Sequence, residues 1–347
     1  MTTHIKTEEI KKFIITNVEA HPTDLAAITA KTFEFSRQAV NRHLQGMLKD
    51  GILRAEGATR NKRYFLKPLF EKAFAIEIKP GLQEDKVWRD LIAPLMKDVK
   101  ENVLNICYYG FTEMLNNVFD HAGAKKAIVG LTKYSNKIAI DVIDDGVGIF
   151  KKIATEFHLD DERHAILELS KGRLTTNPKG HSGEGIFFTS KVFDDFAIMS
   201  GKFGLVFCAE GGWLLEEMPE KIAAKGTSIG MRINHDSKRI LKDVFDRFAD
   251  VDYGFTKTVV PVALVKYGVE TLVSRSQAKR LMARLELFAE VLLDFTDVSS
   301  IGQAFADEIF RVYQNAHPNI NIRYIHATEN VVKMIKMVKA HAGQKAD

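Results

Sequence analysis

The sequence predicts an α/β protein of several domains, and three observations carry that expectation. Stretches with apolar residues at helical spacing alternate with short apolar or alternating stretches that read as strands. The 347 residues exceed one ordinary domain and suggest two or three. The charge is uneven: residues 1–68 hold 12 Lys or Arg against 7 Asp or Glu, while the rest of the chain sums to about −1. A basic module on a near-neutral body points to a polyanionic partner for that module. The hydrophobic fraction of 46% and charged fraction of 27% are those of a soluble globular chain. No run approaches the ~18 apolar residues of a membrane span. The polar stretch Met1 to Lys12 lacks the apolar centre of a signal peptide, so no membrane partner and a cytoplasmic location are expected. Cys107 and Cys208 stand far apart in apolar stretches, as small buried hydrophobes of a reducing compartment do.

The first domain is expected over residues 1–70. Ile10, Phe13, Ile14 and Val18 have helical spacing within Glu8 to Val18. After His21-Pro22, Thr23 or Asp24 can cap a helix from Leu25 to Ala30. Ser36 suits the N-cap of a third helix, Arg37 to Lys49, which stops at Asp50-Gly51. Val40, Leu44, Met47 and Leu48 lie on one face of it; Arg37, Gln38, Asn41, Arg42 and Gln45 lie on the other. Two short strands follow, Ile52 to Glu56 and Arg63 to Lys67. This order resembles the winged helix-turn-helix of small bacterial regulators. The resemblance implies DNA as partner, with a recognition helix in the major groove and a hairpin on the neighbouring backbone. Arg37, Gln38, Asn41 and Arg42 would face base edges or phosphates, and Arg60, Lys62 and Arg63 would meet phosphate. The competing reading is a protein-interaction module whose charges are a solvated face.

The second domain is expected over 80–235, after the break at Lys79-Pro80-Gly81. A long helical pattern runs from about Asp85 to Asp120 and places Glu113, Asn117 and His121 on one face. A carboxylate can take a proton from an attacking hydroxyl or water. An amide oxygen is a suitable neutral ligand for Mg²⁺. Ala127 to Tyr134 and Lys137 to Ile143 read as strands. The second ends in Asp144-Asp145-Gly146-Val147-Gly148, an acid followed by two glycines that permit close backbone approach. Phe150 to Gly180 reads as polar and irregular. Lys179 to Gly185 is a glycine-rich stretch opening a helix, where free N–H groups can meet phosphate. It lacks the Lys-Ser/Thr ending of a P-loop. Gly226-Thr227-Ser228 precedes an apolar strand and supplies a small hydroxyl.

Taken singly these features have ordinary explanations: an exposed polar helix face, a strand-ending turn, a surface loop. Their order and spacing resemble the four boxes of the GHKL ATPase superfamily, over about 145 residues. The resemblance implies ATP and Mg²⁺ as cofactors and an α/β sandwich. It implies Glu113 as general base and Asn117 as Mg²⁺ ligand. Asp144 would bind the adenine amine, with Gly146 and Gly148 shaping the pocket floor and Thr227 closing the adenine side. His121, Lys179, Gly180, Ser182, Gly183 and Gly185 would lie along the phosphates, and residues 150–180 would form a mobile lid. No dimerisation helix with a phosphorylatable histidine precedes this segment, which argues against a sensor histidine kinase.

The third domain is expected over 250–347. A strand over Val259 to Val265, a helix over Arg275 to Phe288 and a strand over Val291 to Phe295 come first. Helices at Gln303 to Tyr313 and Asn330 to His341 then flank a strand at Ile320 to Ile325. Ser274 to Arg280 and Val291 to Gln303 resemble a STAS-like family of unknown function. Where antagonists of that fold carry a phosphorylated serine, this chain has Gly302 or Gln303; Ser299 and Ser300 lie just before, where they can cap the following helix.

The expected function is a DNA-binding transcriptional regulator whose flanking domains are switched by Mg²⁺-ATP, bound or hydrolysed. The alternative is a protein serine/threonine kinase of the anti-sigma-factor type, acting on a STAS-type or sigma-factor-like partner. A homodimer is the default expectation, since such regulators read paired half-sites.

Overall fold

The computed structural model describes residues 2–58, 61–174, 183–208, 212–219, 223–252, 254–267 and 270–343. The chain opens with three helices, α1 (Thr2–Asn17), α2 (Leu25–Phe33) and α3 (Arg37–Lys49), and a hairpin of β1 (Leu53–Glu56) and β2 (Arg63–Leu66). Ile10, Ile14, Val18, Leu25, Val40, Leu44, Met47 and Leu53 form a core separate from the rest of the chain. Ser36 caps α3 through its Oγ, which accepts from the Ala39 N–H at 3.2 Å. Asp24 occupies the N-cap of α2 but makes no side-chain cap bond; its carboxylate instead lies 3.1 Å from His21 Nδ1. The hairpin is antiparallel, with Leu53 opposite Leu66 and Glu56 opposite Arg63.

The next strand, β3 (Phe70–Glu77), is absent from the sequence reading. It pairs with β4 (Lys126–Lys133) at the edge of a seven-stranded sheet. Only Ile76 of its eight residues is buried, so the strand shows little of the alternation that betrays a half-buried one. The long helix expected over Asp85 to Asp120 is broken. α4 (Glu84–Val87) runs into a π-turn, Trp88–Ile92, and a 3₁₀ turn, Ala93–Leu95, and α5 begins only at Glu101, ending at His121. Pro94 sits in the break, where its missing N–H interrupts the helical ladder.

After β4 come β5 (Lys137–Asp144), α6 (Ile149–Glu156), α7 (Glu162–Lys171), α8 (Gly185–Val192), β6 (Asp195–Gly201), β7 (Phe203–Cys208), β8 (Gly212–Glu217) and β9 (Ala224–Asn234). The sheet order is β3-β4-β5-β9-β6-β7-β8, every pair antiparallel. α5 and α8 pack on it through Ile106, Phe111, Met114, Phe187 and Phe193. The stretch expected to be irregular carries α6 and α7. Phe150 and Ile153 anchor the first; Ala165, Ile166 and Leu169 anchor the second. Asp161 caps α7 by accepting from the His164 N–H at 2.8 Å, and Gly172 ends it at φ +81°. Helical spacing of buried residues thus overrides the polar composition that suggested an irregular segment.

α9 (Leu241–Phe248) leads to a second sheet, β10 (Lys257–Pro261), β11 (Glu290–Asp294) and β12 (Asn321–Ile325), all parallel in that order. Pro261 has no N–H for the ladder, so the strand expected to reach Val265 stops there and a 3₁₀ turn follows. α10 (Arg275–Met282) is shorter than expected because Arg284 turns the chain at φ +61°. α11 (Gln303–Asp307) continues through a π-turn at Glu308–Tyr313 into α12 (Gln314–Ala316), and α13 (Glu329–Gly343) ends the described chain. Gly302 holds the N-cap of α11 without a side-chain bond, and Ser299 and Ser300 are exposed in the preceding loop rather than capping it. Among the described residues no helix is long and apolar enough to cross a membrane.

Gly110, inside α5, allows this helix to press against the sheet. A Cβ there would lie 2.4 Å from Phe193 Cε2 and 3.1 Å from Met231 Sδ. The helix-propensity gain of Gly110→Ala is about 1 kcal/mol, and forcing a methyl into a filled core costs about 1–3 kcal/mol. Net destabilisation is expected, read as a lower urea midpoint with an unchanged slope.

Candidate functional site

A cavity of about 300 Å³ opens between α5, the β5 end, α6 and the start of α8. Its lining joins residues remote in sequence: Glu113, Asn117 and His121 from α5, Asp144 and Gly148, Gly183 and Gly185, and Thr227 from β9. α5 delivers its three residues together because positions four apart share a face. The amide nitrogen of Asn117 is buried and has no hydrogen-bond partner among the described residues. A buried donor left open beside a cavity fits a bound polar ligand, because an unmade hydrogen bond is costly.

Asp144 is 6% exposed. Its Oδ1 accepts from the Gly146 N–H at 2.8 Å and the Thr227 N–H at 3.3 Å. Burial pushes its carboxyl above the usual aspartate range, against the opposing pull of these two donors. Gly146 is excluded from the lining but underlies it: a Cβ there would meet the Ala122 carbonyl oxygen at 2.2 Å. Gly148 lies at φ +88°, a backbone that favours glycine, with Ser200 Oγ 2.7 Å from where a Cβ would be. Thr227 Oγ1 accepts from the Ile149 N–H at 3.1 Å, tying the turn to β9. At Gly185 a Cβ would fall 2.0 Å from Glu113 Oε2, so only glycine leaves this carboxylate its place.

Several residues were missed. Lys152 of α6 lines the cavity and donates from Nζ to the His121 carbonyl at 2.6 Å. Leu169 and Leu174 form an apolar part of the wall. No motif marks them; they arrive because α6 and α7 fold where an irregular segment was expected. A second cavity of about 300 Å³ shares Glu113 and Gly185 with the first and adds Tyr109, Glu184, Phe188 and Phe245. Lys179, Gly180 and Ser182 lie outside the described residues, as does the last part of the expected lid; its earlier part, to Leu174, is folded as above.

The expected DNA-contacting residues belong to the N-terminal module. Arg37, Gln38, Asn41 and Arg42 are exposed on α3, opposite the buried Val40, Leu44 and Met47. Arg63 is exposed on β2, Lys62 is half-buried with Nζ 5.1 Å from the Tyr64 ring centroid, and Arg60 lies outside the described residues. Among the described residues no group of three or more His, Cys, Asp or Glu side chains forms a metal cluster.

The raised pKa of Asp144 has a consequence for stability. A carboxyl that holds its proton more tightly when folded makes stability fall as pH rises from its unfolded value through its folded one. Asp144→Asn removes that dependence while keeping an oxygen for both N–H donors. Urea denaturation at pH 7 is expected to find this variant at least as stable as the wild type; a clearly lower midpoint would contradict the assignment.

No curated protein matches the chain. A family model, the STAS-like domain of unknown function DUF4325, matches residues 277–332, from within α10 to the start of α13. The C-terminal domain of this mixed α/β protein is therefore STAS-like.

Proposed function

We propose that the chain is a nucleotide-responsive, DNA-binding regulator: a winged helix-turn-helix at residues 1–70, a GHKL-type ATP-binding domain, and the STAS-like domain. One observation carries the nucleotide reading. Glu113, Asn117, Asp144, Gly183 and Gly185 come from three separated stretches of sequence and line one cavity. The residues suit Mg²⁺-ATP. Asp144 is buried at the cavity wall and can accept from an exocyclic amine through whichever lone pairs its two backbone donors leave. The glycines at 146, 148 and 185 remove side chains where backbone and ligand must approach. The unsatisfied Asn117 amide would be completed by the bound group, its oxygen facing the ion. Magnesium would supply positive charge to the triphosphate oxygens. Glu113 would take the proton of the attacking water, and Lys152 brings a cation to the same cavity.

The DNA reading is supported by the exposed Arg37, Gln38, Asn41 and Arg42 on one face of α3, beside a hairpin carrying Arg63. A second reading, transfer to a protein hydroxyl, is favoured by the exposed Ser299 and Ser300 and by the second cavity that reaches Glu113. Labelled ATP separates the two: stable label on protein marks a kinase, and release of phosphate alone marks an ATPase switch.

Calorimetry with ATP and magnesium is the first test, and absence of binding would end the nucleotide reading. Glu113→Ala is expected to keep nucleotide affinity within a few-fold while turnover falls about 10²–10⁴-fold, the usual worth of a general base. For DNA, Arg42→Ala is expected to weaken binding and to lower the salt slope by about one. Mg²⁺-ATP should change DNA affinity or its salt dependence; equal titrations with and without it would remove the switching part of the proposal.

A further inference from the structure

The cavity wall formed by residues 169–174 has the ligand space on one side and the C-terminal domain on the other. Leu169 and Leu174 line the cavity. Between them Lys171 is 1% exposed and does not line the cavity. Its Nζ donates to Glu168 Oε1 at 2.6 Å and to the backbone carbonyls of Ala283 at 2.8 Å and Arg280 at 3.4 Å. Those carbonyls end α10, where the helix dipole favours a cation. The Lys171 carbonyl in turn accepts from Thr258 Oγ1 of β10 at 2.6 Å. Gly172 packs so closely that a Cβ would lie 2.8 Å from Phe255 Cε1. Arg173 Nη1 donates to the Leu287 carbonyl at 2.6 Å. Three consecutive residues of the wall are each seated on the chain beyond α9.

The inner side of this wall is equally tight. The Leu174 N–H donates to the Gly183 carbonyl at 3.2 Å, and a Cβ at Gly183 would lie 2.5 Å from the Leu174 carbonyl carbon. Displacing the wall therefore disturbs the start of the glycine stretch that lines the cavity. A buried ammonium is held only while its partners stay in place. Glu168, at 1% side-chain exposure, lies 3.6 Å from Arg284 Nε and 3.6 Å from His164 Nε2, so the ion pair is itself embedded in the domain contact. Lifting the C-terminal domain removes two acceptors from Lys171 and one donor from its carbonyl in a single step.

We propose that Lys171 makes the cavity wall and the seating of the STAS-like domain one cooperative unit, so that a ligand in the cavity and docking of that domain stabilise each other. The reciprocity is a thermodynamic requirement of any such coupling. The identity of the ligand as Mg²⁺-ATP rests on the reading in the preceding subsection; the mechanical unit does not.

The test is hydrogen–deuterium exchange on the full chain, comparing wild type with Thr258→Val and with the double variant Glu168→Leu/Lys171→Met. The first removes the donor from the C-terminal side with a side chain of the same shape. The second removes the ammonium that holds the Ala283 and Arg280 carbonyls, together with its carboxylate partner so that Glu168 is not left as an unpaired buried charge. Without nucleotide, both variants are expected to raise exchange in 165–174 and 276–285 together, by roughly tenfold, the factor that 1.4 kcal/mol of local opening gives. Exchange in α5 should stay unchanged, which also reports that the chain is folded. With Mg²⁺-ATP, wild-type exchange over 276–285 should slow several-fold although no residue there lines the cavity, and that slowing should vanish in both variants. The inference is overturned if 276–285 loosens in Thr258→Val without 165–174, if neither segment changes, or if nucleotide protects 276–285 equally in all three proteins. If wild type binds no nucleotide, the ATP reading falls and the nucleotide-free comparison alone decides the coupling.

Discussion

The close approach of backbones around Asp144 is the constraint on which the rest of the site depends. Three chain segments meet there within bond distance: the end of α5 at Ala122, the turn after β5, and β9 at Gly226. Gly146 lies against the Ala122 carbonyl, and a Cβ at Gly226 would lie 2.1 Å from the Asp144 carbonyl oxygen. One carboxylate oxygen then collects the N–H groups of Gly146 and Thr227. Side chains at either glycine would push the strands apart and remove the donors from Asp144. The cavity thus exists because two positions carry no side chain and a third carries a short acid whose burial is unfavourable by itself. A buried carboxyl with a raised pKa at the wall of this cavity is held at some expense of stability, as groups at functional sites often are.

How much of this was legible in the sequence follows from the range of each interaction. Local signals read well: Ser36 caps α3, the apolar stripe Val40, Leu44, Met47 is buried, and Glu113, Asn117 and His121 share a face because helical spacing alone decides it. The turn after β5 was readable because its glycines answer a local backbone requirement. What failed needed tertiary context. β3 has one buried residue and is a strand only because β4 lies beside it. α7 was hidden by its polar residues, yet Glu168, Ser170 and Lys171 are buried. Their partners come from the same helix and from α10, more than a hundred residues away, and no periodicity of α7 alone could announce that a lysine would be inside.

The two flanking parts of the chain meet the central sheet in physically different ways. The N-terminal module touches it through Lys137, whose Nζ lies 2.5 Å from Glu19 Oε2, and through Tyr134, which packs on the module's core. Lys137 begins β5, a strand paired on both sides by β4 and β9. A central strand of a seven-stranded sheet has one arrangement, since a register shift would turn every buried residue outward. The C-terminal domain instead shares one continuous apolar core with the central sheet and its helices, with Phe187 and Phe188 against Phe255, and the polar contacts of Asp161, Lys171 and Arg173 lie at the edge of that core.

Under the proposed function, that difference would constrain how a bound nucleotide is felt at DNA. A ligand shifts an equilibrium only by its unequal affinity for two arrangements. Asp144 and Lys137 sit at opposite ends of β5, so a direct route from cavity to N-terminal module would run along a strand paired on both sides. A strand without a second arrangement transmits no population shift, however short the path. In the coupling proposed above, the wall at 169–174 would be the element with two arrangements, seated as the structure shows it and unseated, with its state set jointly by the cavity and the STAS-like domain. On that proposal, an effect on DNA would pass through the position of the C-terminal domain, by its own contacts or by those it makes with another molecule. Nucleotide-dependent DNA affinity should accordingly disappear when the seating of that domain is uncoupled from the wall, even with the cavity and the basic face of α3 intact.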